Sequence, residues 1–197
     1  MPRPVCPRCC RPLGHCLCSL IPSLPSRTRV LILQHPDEVR HALNTARLAA
    51  LGLQNAELKI GEHFPDLPHW LSDEYRACLL FPGDGAQTLP LSDGEDSRPL
   101  LLVVPDGTWR KARKLIYLNP LLAGLPRVSL PVGLPSRYRL RKAPGEVALA
   151  TIEAIVAALE LQEAPARFDT LLRPFEALID GQIEAMGSET FQRNHQR

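Results

Sequence analysis

Aromatic side chains are scarce in this 197-residue chain, at 5% of the total, so its core has to be aliphatic. No uncharged run approaches the roughly 20 residues that span a bilayer, and the opening Met1-Pro2-Arg3-Pro4-Val5-Cys6 has no apolar stretch of signal-peptide length. These absences point to a soluble, cytoplasmic protein. Excess charge is missing too: a formal net charge of +2 is too small to argue for a polyanionic partner, so that case rests on local clustering. Cysteine almost vanishes after residue 18, five of the six lying within the first 18 residues. In a reducing compartment such crowding favours a metal site over disulfides. No internal repeat is visible, and 45% hydrophobic with 22% charged residues excludes disorder as the default.

Proline is abundant, supplying 20 residues, about twice its usual share. It concentrates at junctions such as Ile21-Pro22-Ser23-Leu24-Pro25, which mark stiff connections. The length suits one catalytic domain plus a small appendage. The expected division is a Cys-rich knuckle and linker over 1–26 and a main domain over 27–197. The polar, acidic stretch 92–99 reads as a surface loop.

Short apolar runs ending at Pro, Gly or Asp predict strands over 29–33, 56–60, 77–81, 100–104 and 127–130. Helical patterns cover 36–51, opened by Pro36 and closed by Gly52, then 108–118, 145–161 and 168–186. The alternation implies an α/β fold with a mostly parallel sheet and flanking helices. Ligands of such sheets bind beyond the carboxyl ends of the strands. The loops Gln34-His35-Pro36, Pro82-Gly83-Asp84-Gly85 and Pro105-Asp106-Gly107 are therefore candidate site loops.

Cys6, Cys9, Cys16 and Cys18 offer four thiolates in two close pairs, a set suited to tetrahedral zinc, with Cys10 or His15 as alternative ligands. Four thiolates leave no open coordination position, so the expected role is structural.

The run 100–104 leads into Pro105-Asp106-Gly107-Thr108-Trp109, placing a carboxylate, a permissive glycine and a hydroxyl where a strand meets a helix. At about 100° per residue, Arg110, Lys111, Arg113 and Lys114 share an arc of about 160°. Trp109, Ala112, Leu115 and Ile116 lie opposite, which makes Trp109 a core residue by expectation. A cationic face beside an aspartate is what docking a phosphate backbone next to a proton acceptor needs; the bland reading is a capped helix with a solvated face.

Asp106-Gly107-Thr108-Trp109 resembles the Asp-x-Thr-Trp signature of the DTW-domain family, and the paired cysteines resemble its zinc motif. Gln34-His35-Pro36-Asp37-Glu38 with Asn44-Thr45 is similar to the family's His-Pro-x-Glu helix start, and Phe81-Pro82-Gly83 to its proline-glycine loop. Ser136-Arg137-Tyr138-Arg139-Leu140-Arg141 and Thr151-Ile152-Glu153-Ala154 resemble its Ser-x-Tyr-x-x-Arg and Ser-Thr-x-Glu-Ala segments, except that Ala150 stands where serine is expected. The resemblance runs from Cys6 to about residue 161.

It implies a tRNA-uridine aminocarboxypropyltransferase with S-adenosylmethionine (SAM) as donor, acting on a variable-loop uridine. It also implies a fold related to the knotted SPOUT methyltransferases. Attack of uracil N3 on the methionine-chain carbon beside sulfur would give 3-(3-amino-3-carboxypropyl)uridine and 5′-methylthioadenosine. Uracil N3 must lose a proton first, and Asp106 is the expected base, with Glu38 and Glu153 in reserve. Pro82, Gly83, Thr108, Leu130, Pro131, Arg141, Thr151, Glu153 and Ala154 are the expected SAM contacts. His35, Arg40, Asn44, Tyr138 and the cations Arg110, Lys111, Arg113 and Lys114 are expected to meet RNA or the methionyl carboxylate. Two rivals remain: a SAM-dependent RNA methyltransferase on the same scaffold, and a non-enzymatic zinc-knuckle RNA-binding module.

Overall fold

The computed structural model describes residues 4–91, 96–140, 149–187 and 191. Six strands form one sheet: β1 (Arg29–Gln34), β2 (Ala56–Ile60), β3 (Arg76–Leu80), β4 (Gln87–Thr88), β5 (Leu100–Asp106) and β6 (Arg127–Ser129). Their order is β2-β1-β5-β3-β6-β4, and every neighbouring pair is parallel. The helices are α1 (Ala46–Gly52), α2 (Leu67–Trp70), α3 (Trp109–Leu118), α4 (Pro120–Ala123), α5 (Thr151–Gln162) and α6 (Arg173–Met186).

Strand side chains alternate across the sheet, and both faces here are covered. Val30, Ile32, Leu100, Leu102 and Val104 pack with Leu48, Ile152, Ile155, Phe175 and Ile179 from α1, α5 and α6. Leu31, Leu33, Leu79, Leu101 and Val103 pack on the other face with Leu67, Leu115, Ile116 and Leu122 from α2, α3 and α4. Two buried faces explain why the central strands read as unbroken apolar runs. The segment before β1 joins the first cluster through Leu17, with Ile21 and Leu24 packed against it.

Three expectations change. The helix over 36–51 is a single 3-10 turn, Pro36–Glu38, then a turn-rich loop, then α1. Asn44 interrupts it: Nδ2 donates to the Glu38 carbonyl at 3.1 Å and Oδ1 accepts from Arg47 N at 3.3 Å, local bonds that compete with helix continuation. The last helix begins with a 3-10 turn, Asp169–Leu172, before α6. Trp109 is not core but 51% exposed, because it opens α3 where the helix projects past the sheet edge; its ring meets Phe81 edge-on at 5.4 Å. Positions 145–148 of the expected 145–161 helix and 92–95 of the expected surface loop lie outside the described residues. Among the described residues, no helix is long and apolar enough to cross a membrane.

Candidate active site at the carboxyl edge of the sheet

Parallel pairing brings the carboxyl ends of all strands to one edge. The predicted loops therefore converge there: His35-Pro36 after β1, Phe81-Pro82-Gly83 after β3, Gly107-Thr108 after β5 and Leu130-Pro131 after β6. From β1 the chain moves outward to β2, whereas from β5 it moves past β3 to β6. In open parallel sheets, connections that diverge in this way mark the position where ligands bind, here between β1 and β5.

Gln34 and Asp106 face each other across that divide as register partners. Both are buried. Gln34 Nε2 donates to Asp106 Oδ2 at 2.8 Å, and the Thr151 hydroxyl at the start of α5 donates to Asp106 Oδ1. Burial pushes the Asp106 carboxyl above the ordinary aspartate range, and these two hydrogen bonds oppose the rise; Glu38 adds to it and His41 subtracts. Among the described residues no cation pairs with Asp106. Two bonds occupy only part of a carboxylate's roughly four lone-pair positions, so acceptor capacity remains.

Gln34 is also tied to Asn44, Nε2 donating to Asn44 Oδ1 at 3.2 Å and Oε1 accepting from Nδ2 at 3.4 Å. His35 has both ring nitrogens occupied: Nε2 lies 2.8 Å from Glu62 Oε1 and Nδ1 accepts from Asp37 N at 3.3 Å. The chain turns beside it because position 107 is glycine. Its φ is +153°, and a Cβ there would meet Lys111 Cβ at 3.0 Å and His35 Cβ at 3.6 Å.

Thr108 caps α3, its hydroxyl accepting from Lys111 N at 3.4 Å. The four α3 cations divide into two kinds. Lys111 pairs with Glu38 at 2.8 Å and Lys114 with Glu62 at 2.8 Å. Glu38 raises the Lys111 ammonium, while Lys114 draws the Glu62 carboxyl down. Arg110 and Arg113 are exposed, with no carboxylate partner among the described residues.

The remaining predicted residues separate likewise. Pro82 and Gly83 are exposed, with Arg127 packed under Gly83: a Cβ at Gly83 would meet its Nη1 at 2.6 Å. Leu130 packs against the core, and Ala154 is half-buried on α5. Glu153 is buried, and its carboxylate accepts from Ala150 N at 2.7 Å, from the Ser136 hydroxyl and from Arg137 N. That is half of a capping box, with Ala150 lacking the side chain for the other half. The Tyr138 ring lies edge-on to Phe175 at 5.8 Å. Arg40 is exposed, and Arg141 lies outside the described residues.

Cys6, Cys9, Cys16 and Cys18 gather with their sulfurs within 4.8 Å of one another. Cys6 and Cys18 are 3.6 Å apart, Cys9 and Cys16 3.8 Å. Four ligands at a Zn–S distance of about 2.3 Å in a tetrahedron place sulfurs about 3.8 Å apart, so the donor set fits. Backbone N–H groups of Cys9 and Arg8 bring the Cys6 thiol down to about 6, whereas burial pushes Cys18 up to about 12. Cys10 and His15 are exposed and outside the cluster.

The sequence reading placed Gln34 in a candidate site loop without giving it a role, and Glu62 and Arg11 escaped it. A polar residue closing an otherwise apolar buried strand was the available signal for Gln34. Arg11 donates to the carbonyls of Ala42 at 2.8 Å and Asn44 at 3.0 Å, contacts that no local pattern announces.

Residues 3–183 match the DTW domain family. The chain belongs to that family. A relative from Drosophila melanogaster, named tRNA-uridine aminocarboxypropyltransferase 2, is 33% identical over 209 residues, covering 97% of this chain and 82% of that protein. The Macaca fascicularis protein of the same name is 33% identical over 194 residues, covering 92% of this chain and 64% of that protein. An Arabidopsis thaliana protein, tRNA-uridine aminocarboxypropyltransferase A, is 28% identical over 189 residues, covering 80% and 72%. No solved structure matches the chain. In this DTW domain both the four cysteines and Asp106 fall inside the matched span.

Proposed function

We propose that this DTW domain is a tRNA-uridine aminocarboxypropyltransferase that moves the 3-amino-3-carboxypropyl group of SAM to N3 of a variable-loop uridine. The observation that carries the reading is Asp106, a buried carboxylate that pairs with no cation among the described residues, at the divergent carboxyl edge of the sheet inside the family match. Asp106 takes the N3 proton. The nitrogen pair then bonds to the carbon beside sulfur, the C–S bond breaks, and 5′-methylthioadenosine leaves. A carboxyl raised by burial is a stronger proton acceptor than an ordinary aspartate, which suits this task. Glu38, held by Lys111, is the weaker choice and serves to position α3 against the 36–38 turn.

The glycine and proline loops after β3 and β6, with Thr151, Glu153, Ala154 and Arg141, are the proposed donor side. Backbone can approach a nucleoside closely there. Arg110, Arg113 and Arg40 are the proposed phosphate contacts, being exposed and paired with no carboxylate among the described residues, with Asn44, His35, Lys111, Lys114 and Tyr138 shaping the wall. The four-cysteine knuckle, read as residues 1–26 apart from a catalytic unit over 27–197, is proposed to bind structural zinc. Its sulfur spacing supports that. Kinship with the knotted SPOUT fold is supported by the wholly parallel sheet and by the return of β5 between β1 and β3. A proposed location in the cytoplasm is supported by six cysteines that form no disulfide, four of them grouped for metal.

Incubating the full chain with SAM and unmodified tRNA, then resolving the nucleosides by mass spectrometry, tests the proposal. Appearance of 3-(3-amino-3-carboxypropyl)uridine is expected. Absence of any SAM binding would instead favour a non-enzymatic RNA-binding module.

A further inference from the structure

Arg11 lies between the two cysteine pairs and belongs to neither. Its carbonyl accepts from Cys6 N at 2.7 Å, Leu13 N donates to the Pro4 carbonyl at 3.0 Å, and Val5 bridges Pro12 in antiparallel fashion. The Arg11 backbone is thus fixed in the hairpin that presents the sulfurs. Its side chain leaves that hairpin. Nη1 and Nη2 fork across the carbonyls of Ala42 and Asn44 at 2.8 and 3.0 Å, a span that a planar guanidinium bridges and a lysine ammonium does not. Among the described residues Nε is buried without a partner, so these two bonds are what holds the group.

The receiving segment needs such an anchor. Between the 3-10 turn and α1 its own bonds are short-range ones: His41 N to the Glu38 carbonyl and Asn44 N to the His41 carbonyl, each 3.0 Å, with Leu43 N to His41 Nδ1 at 3.2 Å and Asn44 Nδ2 to the Glu38 carbonyl at 3.1 Å. From Asn44 the bonds continue to Gln34 at 3.2 Å and from Gln34 to Asp106 at 2.8 Å. An unbroken series therefore leads from the cysteine hairpin to the buried carboxylate.

We propose that Arg11 is a positioning residue that couples the folded cysteine knuckle to Asp106 by clamping the Ala42 and Asn44 carbonyls. With the clamp in place, Asn44 holds Gln34, and Gln34 holds Asp106 in one orientation. Without it the 39–45 loop opens and the carboxylate loses its aim while tRNA docking on α3 persists. The kinetic part of this inference rests on the function proposed above, whereas the coupling itself does not.

The test uses the full chain as Arg11→Ala, Arg11→Lys, Asn44→Ala and the Arg11→Ala/Asn44→Ala double variant. Zinc content, amide hydrogen exchange over 38–45, kcat and KM for tRNA are measured on each. Arg11→Ala is expected to keep wild-type metal content and to exchange 38–45 about tenfold faster or more. Its kcat should fall about tenfold with KM changed less than about twofold, and Arg11→Lys should recover only part of the loss. Asn44→Ala, which leaves the knuckle intact, should reproduce the kcat loss, and the double variant should be no worse than either single one. Unchanged exchange over 38–45 overturns the proposal, as do additive losses in the double variant. A kcat loss that merely tracks lost metal overturns it too, and if Arg11→Ala fails to fold, a wild-type kcat in Asn44→Ala has the same force. A wild-type chain that forms no product defeats the proposed function, and the exchange data then decide the coupling alone.

Discussion

Asp106 combines two properties that pull against each other. Its carboxyl is raised chiefly by burial, so the folded state prefers it protonated, and its ionisation costs stability as pH climbs through the folded value. Asp106→Asn removes that cost while keeping the shape. The variant should therefore melt no lower than wild type at pH 8, with any advantage disappearing as pH falls to the ordinary aspartate range of about 3.9. Its turnover should drop by about 10² to 10⁴, the usual contribution of a general base. Thermal melts across pH beside single-turnover rates check both halves, and a destabilised but active Asp106→Asn would contradict the assignment. Thr151→Val tests the same carboxyl from the other side. The hydroxyl lowers the Asp106 value, so its loss should move the acid limb of the rate profile to higher pH, against a background of Glu38 raising and His41 lowering.

At the scale of elements, α3 carries two populations of cation, and they should answer differently to salt. Arg110→Ala and Arg113→Ala should each reduce the slope of log affinity for tRNA against log salt by about 1, with kcat nearly unchanged. Lys111→Ala should leave that slope almost intact and lower kcat instead, because it frees Glu38. Titrations at several salt concentrations separate the two outcomes. The knuckle is an element of the same kind: Cys16→Ser should lose the metal and lower the melting midpoint by about 5–10 °C, since about 2–3 kcal/mol shifts a chain of this size by about 2–4 °C each. Calorimetry with metal analysis reads this directly, and a metal-free variant melting like wild type would separate the knuckle from the fold.

Strand periodicity was legible for physical reasons. Runs such as 100–104 are covered on both faces, so they had to be apolar throughout, and the two-residue β4 lacked enough length to announce itself. The α3 pattern was legible because Thr108 caps it and its apolar arc meets the sheet. The 36–51 helix was misread because Asn44 and the Arg11 fork stabilise an irregular loop, and long-range bonds of that kind leave no periodicity. Trp109 was misread because arc geometry ignores where a helix starts relative to the sheet edge. Convergence of the loops on one edge followed from parallel pairing. Gln34 became visible as the tether of Asp106 only once β1 and β5 were set in register.

For the molecule as a whole, the proposed activity is movement of the aminocarboxypropyl arm of SAM and not of its methyl group. A methyltransferase on the same scaffold would differ only in which carbon beside sulfur faces uracil N3. Two samples of SAM decide it, one carrying label in the methyl group and one in the aminocarboxypropyl chain, each incubated with the full chain and unmodified tRNA. Label from the aminocarboxypropyl chain is expected in the RNA, with methyl label leaving in 5′-methylthioadenosine; methyl label recovered in the tRNA would contradict the account.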